Sequence, residues 1–239
     1  MSNALTIGFT IQVGGTSYHS ITDLGLAVHN TNYIGEPEVD TSFASFPTMS
    51  GFYDISEILT QEPIYKQRTI KLEVGTIDNA TNWDARMSTL YNTFHGRQAQ
   101  IIFDNDLTYY WEGRIAIQNY QRTKSLGTFD IVMLAQPFKF AVTPTIDNYT
   151  ADGDITLPTS SFSLIPEIQL FNTAMSDFQT EISFYDIWGM AHNIIFDEND
   201  ERYISNEWFT IPLLNSKCLN AYVDLTDTKI NVRWRAKSL

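Results

Sequence analysis

The 239 residues, 43% hydrophobic and 13% aromatic, supply core material for one large β domain or two ordinary ones. With 28 acidic against 15 basic residues the chain carries −13, a charge that repels a phosphate backbone or an anionic lipid surface. No apolar run approaches the roughly 20 residues that cross a bilayer, no secretory leader is expected, and a single cysteine, Cys218, excludes an internal disulfide and fits folding in a reducing compartment.

Leu5, Ile7, Phe9, Ile11 and Val13 alternate, which predicts a strand with one buried face. Gly14-Gly15 then suits a tight hairpin turn, residues 16–21 return, Asp23-Leu24-Gly25 breaks the pairing, and Leu26-Ala27-Val28 makes a third short strand. From His29 to Ser50 periodicity fades, with Gly35, Pro37 and Pro47 as breakers. This stretch reads as a long loop or arm, and loops of that length in compact domains tend to be contact surfaces. After residues 51–56 a strand is expected at 69–74, apolar at Ile70, Leu72 and Val74.

One strong helix signal follows, over residues 81–95. Trp83, Met87, Leu90, Tyr91 and Phe94 fall on a single face of a 3.6-residue helix. Thr81 is placed to cap its first turn, Asp84 favours the positive end of the dipole, and Gly96 can take the left-handed conformation that ends it. A β-hairpin over 98–117 comes next, turning at Asp104-Asn105-Asp106 and returning with Tyr109, Trp111, Gly113, Ile115 and Ile117 on one face. Residues 119–126 are polar and read as a loop. Gly127 opens a strand with Phe129, Ile131 and Met133 alternating, and Pro137 marks its exit from the sheet.

A boundary is expected at residues 139–145, dividing 1–140 from 141–239. Beyond it, residues 147–163 read as a polar connection with Gly153 and Pro158. From Ile165 onward the signals are all β: Ile168 and Leu170; Ile182, Phe184 and Ile187; Ile194, Ile195 and Phe196; an acidic turn at 197–201; then 208–212, 221–225 and 229–235. Short strands at this spacing with no helix between them predict a sandwich. The fold class is therefore mainly β with one helix, and no internal repeat is present.

Little in the chain points to catalysis. The histidines His19, His29, His95 and His192 are scattered without a ligand-type pair, Cys218 has no metal partner at useful spacing, and neither a nucleophile elbow nor a phosphate loop occurs. In the acidic turn, Asp197, Asn199 and Glu201 alternate as in a calcium loop, but Arg202 stands where glycine belongs and no glutamate closes the site. Asp104-Asn105-Asp106 has the same weakness, and turn chemistry explains both. No catalytic residue, metal ligand or cofactor site is expected. Tyr109, Tyr110 and Trp111, or Tyr185 and Trp188, are aromatics able to stack on a sugar, against a simpler reading as core residues.

The order of these features resembles a known family, the siphophage distal tail proteins, or Dit. Asp23-Leu24-Gly25-Leu26 after an N-terminal hairpin is similar to that family's Asp-Phe-Gly segment. Met49-Ser50-Gly51-Phe52-Tyr53-Asp54-Ile55-Ser56 resembles its Pro-Gly-x-x-Gly-x-x-Asp-x-Ser segment, with the first glycine missing. Residues 90–113 resemble its helix and hairpin, and Gly127-x-Phe129 through Gln136-Pro137-Phe138 the end of its first domain. The closing strand Val232-Arg233-Trp234-Arg235 matches more loosely, and residues 214–217 lack the usual glycine in the preceding turn.

The resemblance implies a sandwich-like N-terminal domain with helix and hairpin, and a galectin-like C-terminal β-sandwich facing outward. It also implies a non-enzymatic virion protein: a homohexameric ring at the tail tip, with stacking of rings left open, located in the virion tail after assembly in the bacterial cytoplasm. The implied partners are the tail tube protein, a tail-associated protein and baseplate or receptor-binding proteins, with DNA passing through without specific binding and no membrane contact. The competing expectation is a carbohydrate-binding β-sandwich module for host-wall glycans, and a glycoside hydrolase stands third.

Overall fold

The structure, a computed structural model, describes residues 8–29, 33–48, 50–58, 60–76, 83–123, 126–174, 177–205 and 207–239. The strand positions Leu5 and Ile7, Met49 and the capping Thr81 lie outside the described residues. One compact unit covers Met1–Val142 together with Leu239, the other Thr143–Ser238.

In the first unit, an antiparallel sheet runs in the spatial order Thr16–His19, Phe9–Val13, Gln98–Phe103, Asp106–Thr123, Leu126–Ala135, Arg68–Thr76, Leu26–Val28. Its period-two alternation sends Phe9, Ile11, Ile70, Leu72, Val74, Ile101, Ile115, Phe129, Ile131 and Met133 into one core. The helix Trp83–Phe94 joins that core with Trp83, Met87, Leu90 and Phe94, all buried. Tyr91 departs from the predicted stripe and is 37% exposed, its ring tilted against His95 at 5.4 Å. Gly96 takes φ 75° and donates its N–H to the Ile115 carbonyl at 2.7 Å, so the helix end is tied to the middle of the strand Asp106–Thr123. At Gly127 the backbone passes so near the Trp83 indole that a Cβ would sit 2.1 Å from Cζ2. Only glycine lets that ring reach the sheet there.

The hairpin is longer than its apolar pattern. Most of the stretch read as a loop is strand: residues 119–123 belong to Asp106–Thr123 and Leu126 opens Leu126–Ala135, with a bulge between Gln118 and Gln121. Asn119 adopts φ 52° at that bulge and donates its amide to Asp130 at 2.6 Å, while Lys71 reaches the same carboxylate at 2.9 Å. Backbone ladders carry the strand past the point where side-chain alternation ends.

The second unit is a sandwich of two four-stranded sheets. One orders Thr145–Tyr149, Thr228–Trp234, Glu167–Asn172, Phe209–Thr210; the other Gly153–Asp154, Asn220–Thr226, Gln179–Tyr185, Ala191–Asp197. Ile168, Leu170, Ile230 and Val232 of the first meet Ile182, Phe184, Phe196 and Val223 of the second in a single core. Two expectations change. The polar connection contains the strands Thr145–Tyr149 and Gly153–Asp154, whose polar residues fit their places at sheet edges.

A second helix, Glu201–Ser205, stands where none was predicted, its start held by Asp200 Oδ1 accepting the Arg202 N–H at 3.0 Å. That short helix buries Tyr203, whose hydroxyl donates to Thr180 Oγ1 at 2.8 Å. Thr180 in turn donates to Thr228 Oγ1 at 2.9 Å, and Thr228 to the Gln179 carbonyl at 2.9 Å. Thr180 and Thr228 each give and receive in this buried chain and Tyr203 gives, so none of the three hydroxyls is left orphaned.

Candidate assembly surface

The weakly periodic stretch after residue 29 forms an out-and-back arm. Tyr33–Ile34 pairs with Ile70 and Lys71 of the core strand, and Gly35 donates to the Thr69 carbonyl at 2.8 Å, which fixes the base. Farther out, Val39–Asp40 pairs with Ile64–Tyr65, and Phe43–Ala44 with Tyr53–Asp54. The arm therefore extends past Ser50, the expected end, because its return leg is the stretch through Tyr65. Lys66 closes the root, with Nζ 3.5 Å from Glu38. Beside it the buried Arg68 lays its guanidinium over Trp111 at 4.7 Å, and Tyr65 meets Phe138 edge to face at 5.7 Å.

The arm displays many large apolar side chains. Tyr33, Ile34, Val39, Phe43, Phe46, Phe52, Tyr53, Ile55, Ile58 and Ile64 are all exposed, from 38% at Ile55 to 64% at Phe52. Phe43 and Phe52 touch edge to face at 4.6 Å, and Phe46 and Tyr53 at 6.1 Å, so the rings organise one another without a core behind them. Exposed apolar surface of this extent, on a segment held by two short ladders, marks an interaction site.

The histidines and acidic turns are engaged in local structure. His19 pairs with Asp104 at 3.2 Å, His95 Nδ1 accepts the Ile117 N–H at 3.0 Å, and His192 contacts Asp186 at 2.9 Å, so the histidines are not brought together. In the acidic turn, Asp197 Oδ1 accepts the Asn199 N–H at 2.9 Å and Glu198 Oε2 the Asp177 N–H at 2.9 Å, which is turn capping. Among the described residues no group of three His, Cys, Asp or Glu is arranged to hold a metal ion. Cys218 is buried, and desolvation pushes its thiol above the usual range, the opposite of a reactive thiolate. Trp111 and Tyr110 are core residues, whereas Tyr185 and Trp188 are 47% and 54% exposed.

No protein-family model matches the sequence, and neither does that of any curated protein. Among solved structures, this chain superposes on the Dit (gp 19.1) protein of phage SPP1, described as a paradigm of hub adsorption apparatus in Gram-positive infecting phages, with TM-score 0.60 and 15% identity over 97% of this chain and 99% of that one. The fold is that of the SPP1 Dit protein. The phage p2 baseplate structure in its activated conformation with Sr is also similar, at TM-score 0.44 and 8% identity over 97% of this chain and 98% of that one. The likeness of fold covers both units, whereas the sequence signals are short segments between Asp23 and Phe138 with a looser one at residues 232–235. Sequence reasoning missed the arm's return leg and the Tyr203 hydroxyl chain. Two-residue ladders leave no periodicity to read, and the hydroxyl chain joins residues 48 positions apart.

Two carboxylates are favoured in their charged form by close partners. Lys139 Nζ sits 2.8 Å from Asp106, and His192 Nε2 2.9 Å from Asp186, which also accepts the Trp188 and Met190 N–H groups. The Lys139 ammonium holds Asp106 below its ordinary value, and the His192 hydrogen bond does the same for Asp186. Both folded values lie under the unfolded value of about 3.9, so the stability they add is complete above that pH and is lost as pH falls through the folded values. Thermal melts should be level between about pH 7 and 5 and drop below about pH 4, with a shallower acid limb in Asp106→Asn plus Asp186→Asn. An identical limb in that double variant would remove these two groups from the account.

Proposed function

We propose that this chain is a structural, non-enzymatic component of a phage or prophage tail tip. In this reading it forms a closed ring of six copies that joins the tail tube to the baseplate or receptor-binding apparatus. The observation that carries the reading is the likeness of fold to SPP1 Dit over nearly the whole of both chains. The arm supports it: ten exposed apolar side chains on one segment suit the head-to-tail contacts from which rings are built. The first unit, to about residue 140, would make the ring, and the C-terminal sandwich would lie outside it. Charge supports a further part, because a ring lined by a chain at −13 would let DNA pass with little adhesion.

The test is the assembly state of the intact chain. Light scattering and electron microscopy at high concentration should show closed particles of about six times the 27.3 kDa chain. Assembly should strengthen as salt rises, since like charges oppose association at −13 and screening relieves them. A chain that stays monomeric at every concentration and salt would sink the ring.

A further inference from the structure

We propose that the outer face of the sheet made by Gly153–Asp154, Asn220–Thr226, Gln179–Tyr185 and Ala191–Asp197 binds an uncharged saccharide, a site independent of the ring. Alternation sends Ala221, Val223, Ile182, Phe184 and Phe196 inward and leaves Tyr222, Tyr185 and their neighbours on the outer face. Tyr222 stands opposite Ser183, which stands opposite Asn193; Tyr185 stands opposite Asn220. The two tyrosines are thus diagonal neighbours on adjacent strands, 43% and 47% exposed. Diagonal positions are about 7–8 Å apart, close enough for one short oligosaccharide to lie across both rings.

The polar surroundings decide the class of ligand. Ser183, Asn193 and Asn220 offer a hydroxyl and two amides, while Glu181, Asp224 and Asp154 add carboxylates on the same outer face. Asn193 Nδ2 donates to Glu181 Oε1 at 2.8 Å and sets the orientation of that carboxylate. These four strands contain no lysine or arginine. Glu181 lies directly across from Asp224, a like-charge pairing that costs stability, and neither takes part in an ion pair among the described residues.

A ligand rich in hydroxyl donors would offset that pairing. Carboxylates accept strong hydrogen bonds from neighbouring hydroxyls, and the apolar face of a sugar ring lies on an exposed tyrosine. Phosphate-, sulfate- or carboxylate-bearing polymers would be repelled from the same face. A neutral glycan is the occupant that uses both halves of the surface.

The experiment uses the intact chain. Saturation-transfer NMR would be run against glucan, galactan and N-acetylglucosamine oligomers, with poly(glycerol phosphate) as the anionic probe. At least one neutral oligomer should bind, and Tyr222→Ala or Tyr185→Ala should each weaken it about tenfold or more. Both side chains are half exposed, so an unchanged melting temperature should accompany the loss. Glu181→Gln should weaken binding while Tyr91→Ala, on the other unit, leaves it alone. No binding of any neutral oligomer, binding unaffected by both tyrosine variants, or preference for poly(glycerol phosphate) would each overturn the assignment.

Discussion

Phe43→Asp combined with Phe52→Asp should leave the chain folded and abolish its assembly. The two rings contact each other at 4.6 Å and are 52% and 64% exposed, so the isolated chain loses little burial when they go. In a ring interface the same rings would be the buried anchors, and aromatic anchors of that kind cost about 2 kcal/mol or more each when removed. Introducing a carboxylate adds desolvation at the same place. Two such losses shift a self-association constant by about a thousandfold or more, enough to carry the sample from particle to the 27.3 kDa chain. Sedimentation of the variant beside the unaltered protein reads the result directly. Rings that persist at undiminished affinity would show that the arm is not the gripping element, and the interface would have to be sought on the sheet itself.

Leu90→Ala is expected to do the reverse, striking the fold and touching no outer surface. Leu90 is 3% exposed and packs in the cluster with Trp83, Met87 and Phe94, so its truncation removes buried methyl groups and leaves a cavity. The cost should be about 2–5 kcal/mol. Tyr91→Ala, one residue on and 37% exposed, should stay near 0.5 kcal/mol. Denaturant midpoints of the two variants measure the contrast, and a Leu90→Ala midpoint equal to that of the parent would mean the helix face is misassigned.

How far the sequence was legible follows from where the information sits. Alternation announced Phe9–Val13 and Arg68–Thr76, and the spacing of Trp83, Met87, Leu90 and Phe94 announced the helix, because each of these buries a regular side of itself. Where burial is irregular the reading failed. Asp106–Thr123 outlasts its apolar pattern since ladder hydrogen bonds are made by the backbone, whatever the side chains. Glu201–Ser205 is a single capped turn, too short for periodicity. The arm was visible as a gap in pattern, and its outward half up to Ser50 was identified. Its return leg was not, because pairings such as Phe43 with Asp54 join two residues apiece and carry no alternation. The tyrosine face was half visible: Tyr185 stood out in the sequence, but only the strand register places Tyr222 beside it.

The composition of the arm also bears on how separate copies of the chain would meet in the proposed ring. Ten exposed apolar side chains on a projecting hairpin are the ingredients of precipitation. Between them stand Glu36, Glu38, Asp40, Asp54, Glu57 and Glu62, with Lys66 the single cation from residue 33 to 66. When two arms collide, each presents its carboxylates to the other's, and the encounter is repelled before the rings can mesh. In the proposed ring such carboxylates would act as gatekeepers, favouring contact of an arm with a surface other than a second arm.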